Sequence, residues 1–130
     1  MGKVLVLDDE VDVLSLVRKI LLKMGYEVHA TSRIDEFYSV LDEDVKLILL
    51  DDVMPEKTGM EICRELKNDS EKSKIPVILF SASGSKDKKE EAIKAGAEEF
   101  LLKPFSIEQL VDIIDRYYPS AFEANKNMKR

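Results

Sequence analysis

Short apolar runs unbroken by any polar residue narrow the possible folds of this chain more than any other feature. Val4-Leu5-Val6-Leu7, Leu47-Ile48-Leu49-Leu50 and Pro76-Val77-Ile78-Leu79-Phe80 are such runs. A strand with one wet face alternates apolar and polar side chains. An unbroken run suits a strand covered on both faces, as in a parallel sheet between two helical layers. Glu27-Val28-His29-Ala30 and Glu99-Phe100-Leu101-Leu102 bring the set to five.

Helical spacing fills the gaps. The first predicted helix runs to about Met24 with Val13, Leu16, Val17, Ile20 and Met24 as its core stripe, and Gly25 closes it as a left-handed cap. Val11, Leu14 and Leu22 fall outside that stripe and leave apolar surface over. A weak helix is expected from Ile34 to Leu41, and another from Met60 to Leu66 with Met60, Ile62, Cys63 and Leu66 inward. From Ser85 to Ala95 only Ala92, Ile93 and Ala95 are apolar, so this helix is expected among the least stable elements, capped by Gly96. The last helix opens on a capping box, Ser106 with Gln109, carries Ile107, Leu110, Val111, Ile114 and Tyr117 inward, and ends at Pro119.

Five alternations of strand and helix predict an α/β fold: a doubly wound, five-stranded parallel sheet with helices on both faces. The common order for such a sheet is 2-1-3-4-5, and ligands bind at the switch point, beyond the carboxyl ends of the first and third strands. The chain's 130 residues suffice for one domain, expected over residues 1–118, and residues 119–130 read as a polar, basic tail, disordered or the start of a linker. A net charge of -6 argues against direct nucleic-acid binding by this domain. No apolar run approaches membrane-spanning length and the amino terminus enters a strand pattern at once, so neither membrane anchor nor signal peptide is expected and the chain reads as cytoplasmic. Cys63 is the single cysteine, which excludes an internal disulfide.

The residues that end the apolar runs carry the functional reading. The first run ends in Asp8-Asp9-Glu10, the third in Asp51-Asp52, the fourth in Ser81-Ala82-Ser83 and the fifth in Lys103-Pro104-Phe105. Singly, each has an ordinary explanation: Asp8 or Asp9 as a helix cap, Asp51 or Asp52 as a turn residue, Ser81 bonding its own loop, Lys103 as a solvated charge. Jointly, four strands deliver polar groups to one edge. Converging carboxylates repel by roughly 4 kcal/mol per pair at about 4 Å and an effective dielectric of about 20, so one takes up a proton or a cation intervenes. A hard divalent ion such as Mg²⁺ (or Mn²⁺) prefers carboxylate, carbonyl and phosphate oxygens. Carboxylate, divalent ion, hydroxyl and ammonium together suit phosphoryl transfer.

With these motifs the chain resembles a response-regulator receiver domain of two-component signalling over about residues 3–118. The resemblance rests on Asp8-Asp9, on Asp51 with Met54-Pro55 and Gly59 downstream, on Ser81-Ala82 and on Lys103-Pro104-Phe105. It implies a flavodoxin-like (βα)5 fold and a signalling phosphoacceptor rather than an enzyme. By the same resemblance, Asp51 accepts a phosphoryl group from a phosphohistidine on a histidine kinase or phosphotransfer protein. Asp9, Asp51 and the backbone carbonyl of Val53 hold Mg²⁺ with Asp8 assisting, while Ser81 and Lys103 bind phosphoryl oxygens. A cis Lys103–Pro104 bond is implied, as is a switch in which Ser81 and Phe100 move together to control a downstream protein target or a fused output domain.

Three positions depart from or refine the pattern that the resemblance sets. Asp52 stands where the family usually has an apolar residue, and is expected to point into solvent rather than disturb the metal site. Val53 and Ser83 occupy positions that tune acyl-phosphate lifetime, and the Val53 side chain cannot orient a water, which implies slow self-dephosphorylation. At the site's edge, Val11 and Leu14 with Pro104 and Phe105 are expected to dock a helix of the phosphodonor. The tail is too short to fold alone, so the chain reads as a stand-alone receiver or one excised from a larger regulator or hybrid kinase. Two rival readings fit less well. A Mg²⁺-dependent phosphatase with Asp51 as nucleophile favours a second carboxylate where Val53 stands. A flavodoxin-like cofactor binder favours a Gly- or Ser/Thr-rich phosphate loop where Asp8-Asp9-Glu10 stands.

Overall fold

The computed structural model describes residues 2–119, so all of the expected tail beyond Pro119 lies outside the described residues. The elements run β1 (Lys3–Leu7), α1 (Val11–Lys23), β2 (Glu27–Thr31), α2 (Ile34–Ser39), β3 (Val45–Asp51), α3 (Gly59–Lys67), a short 3-10 turn (Lys72–Lys74), β4 (Val77–Ser81), α4 (Lys86–Lys94), β5 (Glu99–Leu102) and α5 (Ile107–Tyr117). The sheet has the order β2-β1-β3-β4-β5, with every pairing parallel. The expected doubly wound architecture is therefore the observed one.

Two apolar layers sandwich the sheet. On one side Phe37, Met60, Ile62, Leu66 and Ala92 from α2, α3 and α4 pack on Leu5, Leu7, Ile48, Leu50 and Leu79. On the other, Val17, Leu21, Leu110 and Ile114 from α1 and α5 pack on Val4, Val6, Leu49, Ile78 and Phe80. Alternate residues of one strand thus feed opposite layers, which is why the apolar runs of the inner strands β1, β3 and β4 are unbroken by a polar residue. No helix among the described residues is long and apolar enough to cross a membrane.

Details differ from the sequence reading. In α1 the buried residues are Val17, Ile20 and Leu21, with Val13, Leu14 and Met24 partly buried against the same core, while Leu16 is 46% exposed. Leu14 therefore leaves the outward patch and Leu16 joins Val11 and Leu22 there. Eight of the thirteen residues of α1 are Val, Leu or Ile, so helical spacing alone admits more than one stripe, and the position of the sheet decides. The second helix ends at Ser39, two residues early; the Ser39 hydroxyl donates to the Glu36 carbonyl and competes with helix continuation. Gly25 and Gly96 close α1 and α4 at φ of 90° and 97°, conformations that favour glycine.

Candidate functional site

Parallel register brings the strand ends level. Leu7 pairs with both Thr31 and Leu50, Asp51 with Phe80, and Ser81 with Leu102. The ladder continues one residue further through backbone bonds from Asp8 N–H to the Thr31 carbonyl, Asp52 N–H to Phe80 and Lys103 N–H to Ser81. The residues at this edge are therefore held by the sheet itself. Gly59 adds a close approach, since a Cβ there would collide with the Asp51 carbonyl oxygen.

Lys103 is the hub. Its ammonium lies 2.9 Å from Asp8 Oδ2, 2.9 Å from Glu10 Oε1 and 3.1 Å from Asp51 Oδ1. The Lys103–Pro104 peptide bond is cis. Asp8 is fully buried, and its Oδ1 accepts the Glu10 amide, which fixes the turn from β1 into α1. Glu10, which the strand-end pattern does not single out, is the third carboxylate on Lys103 and stays exposed. Its role is visible only once β1 and β5 are in place.

One ammonium does not balance this much buried acid. Burial pushes the Asp51 carboxyl up to about 7, helped by the charge of Asp8 and opposed by Lys103. Burial likewise raises Asp8, against the Glu10 amide and Lys103. Burial alone would lower Lys103, but hydrogen bonds with Asp8 and Glu10 and the charges of Asp8 and Asp51 raise it.

Asp8, Asp9 and Asp51 each offer a carboxylate oxygen within 4.8 Å of the others. Asp8 Oδ2 is buried without a hydrogen bond of good angle, although Lys103 is close by. An all-oxygen donor set with uncompensated charge fits a hard divalent ion. The Val53 side chain is exposed, two residues after Asp51 in the chain.

The remaining expected residues divide. Ser81 is buried, and its hydroxyl accepts the Ser83 amide at 3.1 Å and donates to the Ser83 carbonyl at 3.2 Å, a closed turn within its own loop. Phe100 is half-buried on the α4 side of β5. Asp52 corrects the sequence reading. It is 1% exposed, not in solvent, and its Oδ2 lies 3.2 Å from the Lys88 ammonium on α4. The reason is strand alternation: Asp51 faces Lys103, so its neighbour faces the opposite layer. Beside Lys103 a groove runs between α1 and the β5–α5 turn, lined by Glu10, Val13, Leu16, Ala82, Pro104 and Phe105. Leu16, not Leu14, supplies its outward leucine, and Phe105 is half-buried against Phe80 with ring centroids 5.0 Å apart.

Fold and site together define an open α/β domain with an acidic, lysine-bearing pocket at its switch point. Comparison with known proteins narrows that class. The family description "Response regulator receiver domain" matches residues 4–115, and the chain belongs to this family of two-component signalling domains. The phosphate regulon transcriptional regulatory protein PhoB of Pseudomonas aeruginosa is 34% identical over 109 residues, which cover 83% of this chain and 48% of PhoB. The transcriptional regulatory protein CpxR of Klebsiella pneumoniae is 33% identical over 111 residues, 85% of this chain and 47% of CpxR. The chain spans about half the length of these relatives. Among solved structures, chemotaxis response regulator CheY4 of Vibrio cholerae superposes with a TM-score of 0.82 at 30% identity, covering 90% of this chain and 98% of CheY4. The beryllofluoride-activated NtrC4 receiver domain matches with a TM-score of 0.82 at 34% identity, covering 91% of this chain and 97% of that receiver-domain chain.

Proposed function

We propose that Asp51 accepts a phosphoryl group from a phosphohistidine of a histidine kinase or phosphotransfer protein, and that residues 1–118 act as a signalling phosphoacceptor rather than a turnover enzyme. The observation that supports this best is the Lys103 ammonium lying 3.1 Å from Asp51 Oδ1 in a pocket shared with Asp8 and Asp9. An Asp51 oxygen attacks phosphorus, the phosphorus–nitrogen bond breaks, and the electron pair and a proton end on the departing imidazole. Asp51 must be ionised to attack, and Lys103 favours that form against burial. Lys103 and the Ser81 hydroxyl then bind phosphoryl oxygens, which requires Ser81 to leave its turn with Ser83.

Asp8, Asp9, Asp51 and the Val53 carbonyl hold Mg²⁺ or Mn²⁺ in this reading; when bound, the ion neutralises the acid cluster and the incoming phosphate charge. Space vacated by Ser81 is filled by Phe100, which carries the change toward a protein target or a fused output domain. The donor docks on the groove beside Lys103, with Leu16, Pro104 and Phe105 as its apolar lining and the exposed Val11 of the same helix as a further contact. The chain works in the cytoplasm, contacts neither membrane nor nucleic acid itself, and holds its phosphoryl group for long because Val53 orients no water.

Incubation with Mg²⁺ and acetyl phosphate followed by intact mass spectrometry tests the core of this reading. One added phosphoryl group is expected on the wild-type chain and none on Asp51→Asn; equal labelling of both would end it.

A further inference from the structure

The buried acid next to the phosphoacceptor has a partner on the helix least secured by apolar contact. Asp52 sits at the carboxyl end of β3 with its backbone pinned on both sides, N–H to the Phe80 carbonyl at 2.8 Å and carbonyl to the Gly59 N–H at 2.8 Å. Its carboxylate meets Lys88 in the first turn of α4. Within α4 only Ala92 is buried, so apolar packing holds that helix weakly. A lysine in a helix's first turn opposes the helix dipole, so Lys88 gains nothing from its place in α4 alone. It gains from Asp52. A buried carboxylate without its cation is costly, and Asp52 cannot follow a moving helix because its backbone is fixed.

Resting on the phosphoacceptor reading of Asp51, we propose that the Asp52–Lys88 ion pair is a latch that holds the first turn of α4 on β3 while Asp51 is unmodified and releases it when Asp51 is phosphorylated. Two forces act on it together. A phosphoryl group places further negative charge one residue from Asp52 and offers the Lys88 ammonium, 38% exposed and on a flexible stem, a competing anion. Movement of Ser81 disturbs the turn that leads to Ser85, whose hydroxyl caps α4 by accepting the Lys88 amide at 3.2 Å. The latch is thus the link between the modified strand and a helix with little apolar contact to keep it in place.

Hydrogen exchange of α4 amides 89–94 tests this, in the full chain without and with Mg²⁺ plus beryllofluoride. Wild type, Lys88→Gln, Lys88→Arg and Asp52→Asn are compared, with bound beryllofluoride read from ¹⁹F NMR. In the unmodified state Lys88→Gln is expected to exchange roughly tenfold faster across α4, with amides of β1 and β3 unchanged, and to show little further change on activation. Lys88→Arg keeps the pair and behaves as wild type; Asp52→Asn resembles Lys88→Gln. Glutamine and lysine have similar helix propensity, and removing the unfavourable first-turn charge alone would slow exchange, so the sign of the change discriminates. Unmodified Lys88→Gln exchanging at or below the wild-type rate overturns the latch. Absence of a bound ¹⁹F signal in wild type overturns the phosphoacceptor reading instead, and the comparison of unmodified chains still decides whether the pair restrains α4.

Discussion

Each end of the sheet holds a largely buried lysine, and the two are set up in opposite ways. Lys67, at the amino-terminal end, has a side chain 15% exposed and donates to the Ser73 and Ile75 carbonyls and to Glu98 at 3.0 Å. Glu98 in turn accepts the Val77 amide at 2.6 Å. One cation, one carboxylate and two carbonyls close on themselves, and the arrangement joins α3, the 3-10 turn, β4 and the approach to β5. Lys103, at the carboxyl-terminal end and 11% exposed, faces Asp8, Glu10 and Asp51 at once, with Asp9 beside them. Similar burial and the same residue type give a joint at one end and an unbalanced pocket at the other. Buried polar groups that satisfy one another stabilise; an acid cluster left with excess negative charge at a strand edge is suited to receive a cation.

Replacing each lysine separates the two ends. Lys103→Met is expected to slow phosphorylation by acetyl phosphate about a hundredfold or more, the order seen when a charge-stabilising donor is lost. Lys67→Met is expected to leave that rate unchanged and to lower unfolding free energy by about 2 kcal/mol, since two carbonyls and a half-buried carboxylate lose their donor. A Lys67 variant slow in phosphorylation but normal in denaturant melts would break the contrast.

The acid at the site also predicts how stability follows pH. Asp51 has a folded value of about 7 against 3.8 for the free group, so the stability it contributes is complete below about pH 4 and is lost as pH rises through about 7. Metal-free chain is therefore expected to melt several degrees lower at pH 8 than at pH 5. Asp51→Asn flattens that dependence, and Mg²⁺ at pH 8 raises the wild-type melting temperature. An equal fall for Asp51→Asn would assign the slope to other groups.

Smaller effects sharpen the picture at α1. Leu16→Glu is expected to weaken phosphotransfer from a cognate kinase several-fold while leaving acetyl phosphate labelling and stability nearly untouched, because Leu16 lies in the groove and not in the core. Leu14→Glu does the reverse, costing about 1–3 kcal/mol of stability, because Leu14 packs against the core. Parallel kinase assays and urea melts of the two variants distinguish these outcomes. Least of all, Ser106→Ala is expected to cost about 1 kcal/mol by removing the capping box of α5.

Strand order and the convergence of Asp8, Asp51, Ser81 and Lys103 on one edge were legible because both follow from local signals: unbroken apolar runs, polar residues that stop them, and alternation with helices. The stripe of α1 was not, since too many of its positions are apolar for spacing to choose among them. Asp52 was misread for a related reason. A carboxylate in a sequence suggests solvent, and only the fold brings Lys88 from 36 residues away to receive it. Glu10 likewise meets Lys103 across 93 residues of chain, a pairing no local pattern announces.

Borohydride reduction of the chain after Mg²⁺ and acetyl phosphate treatment, followed by peptide mapping, looks at the reacting atom itself. An acyl phosphate on Asp51 is reduced to the alcohol, so homoserine at position 51 and at no other acid is the expected result. Homoserine at position 8, 9 or 52 in place of 51, or none at all on a chain that has gained phosphate, would contradict the account.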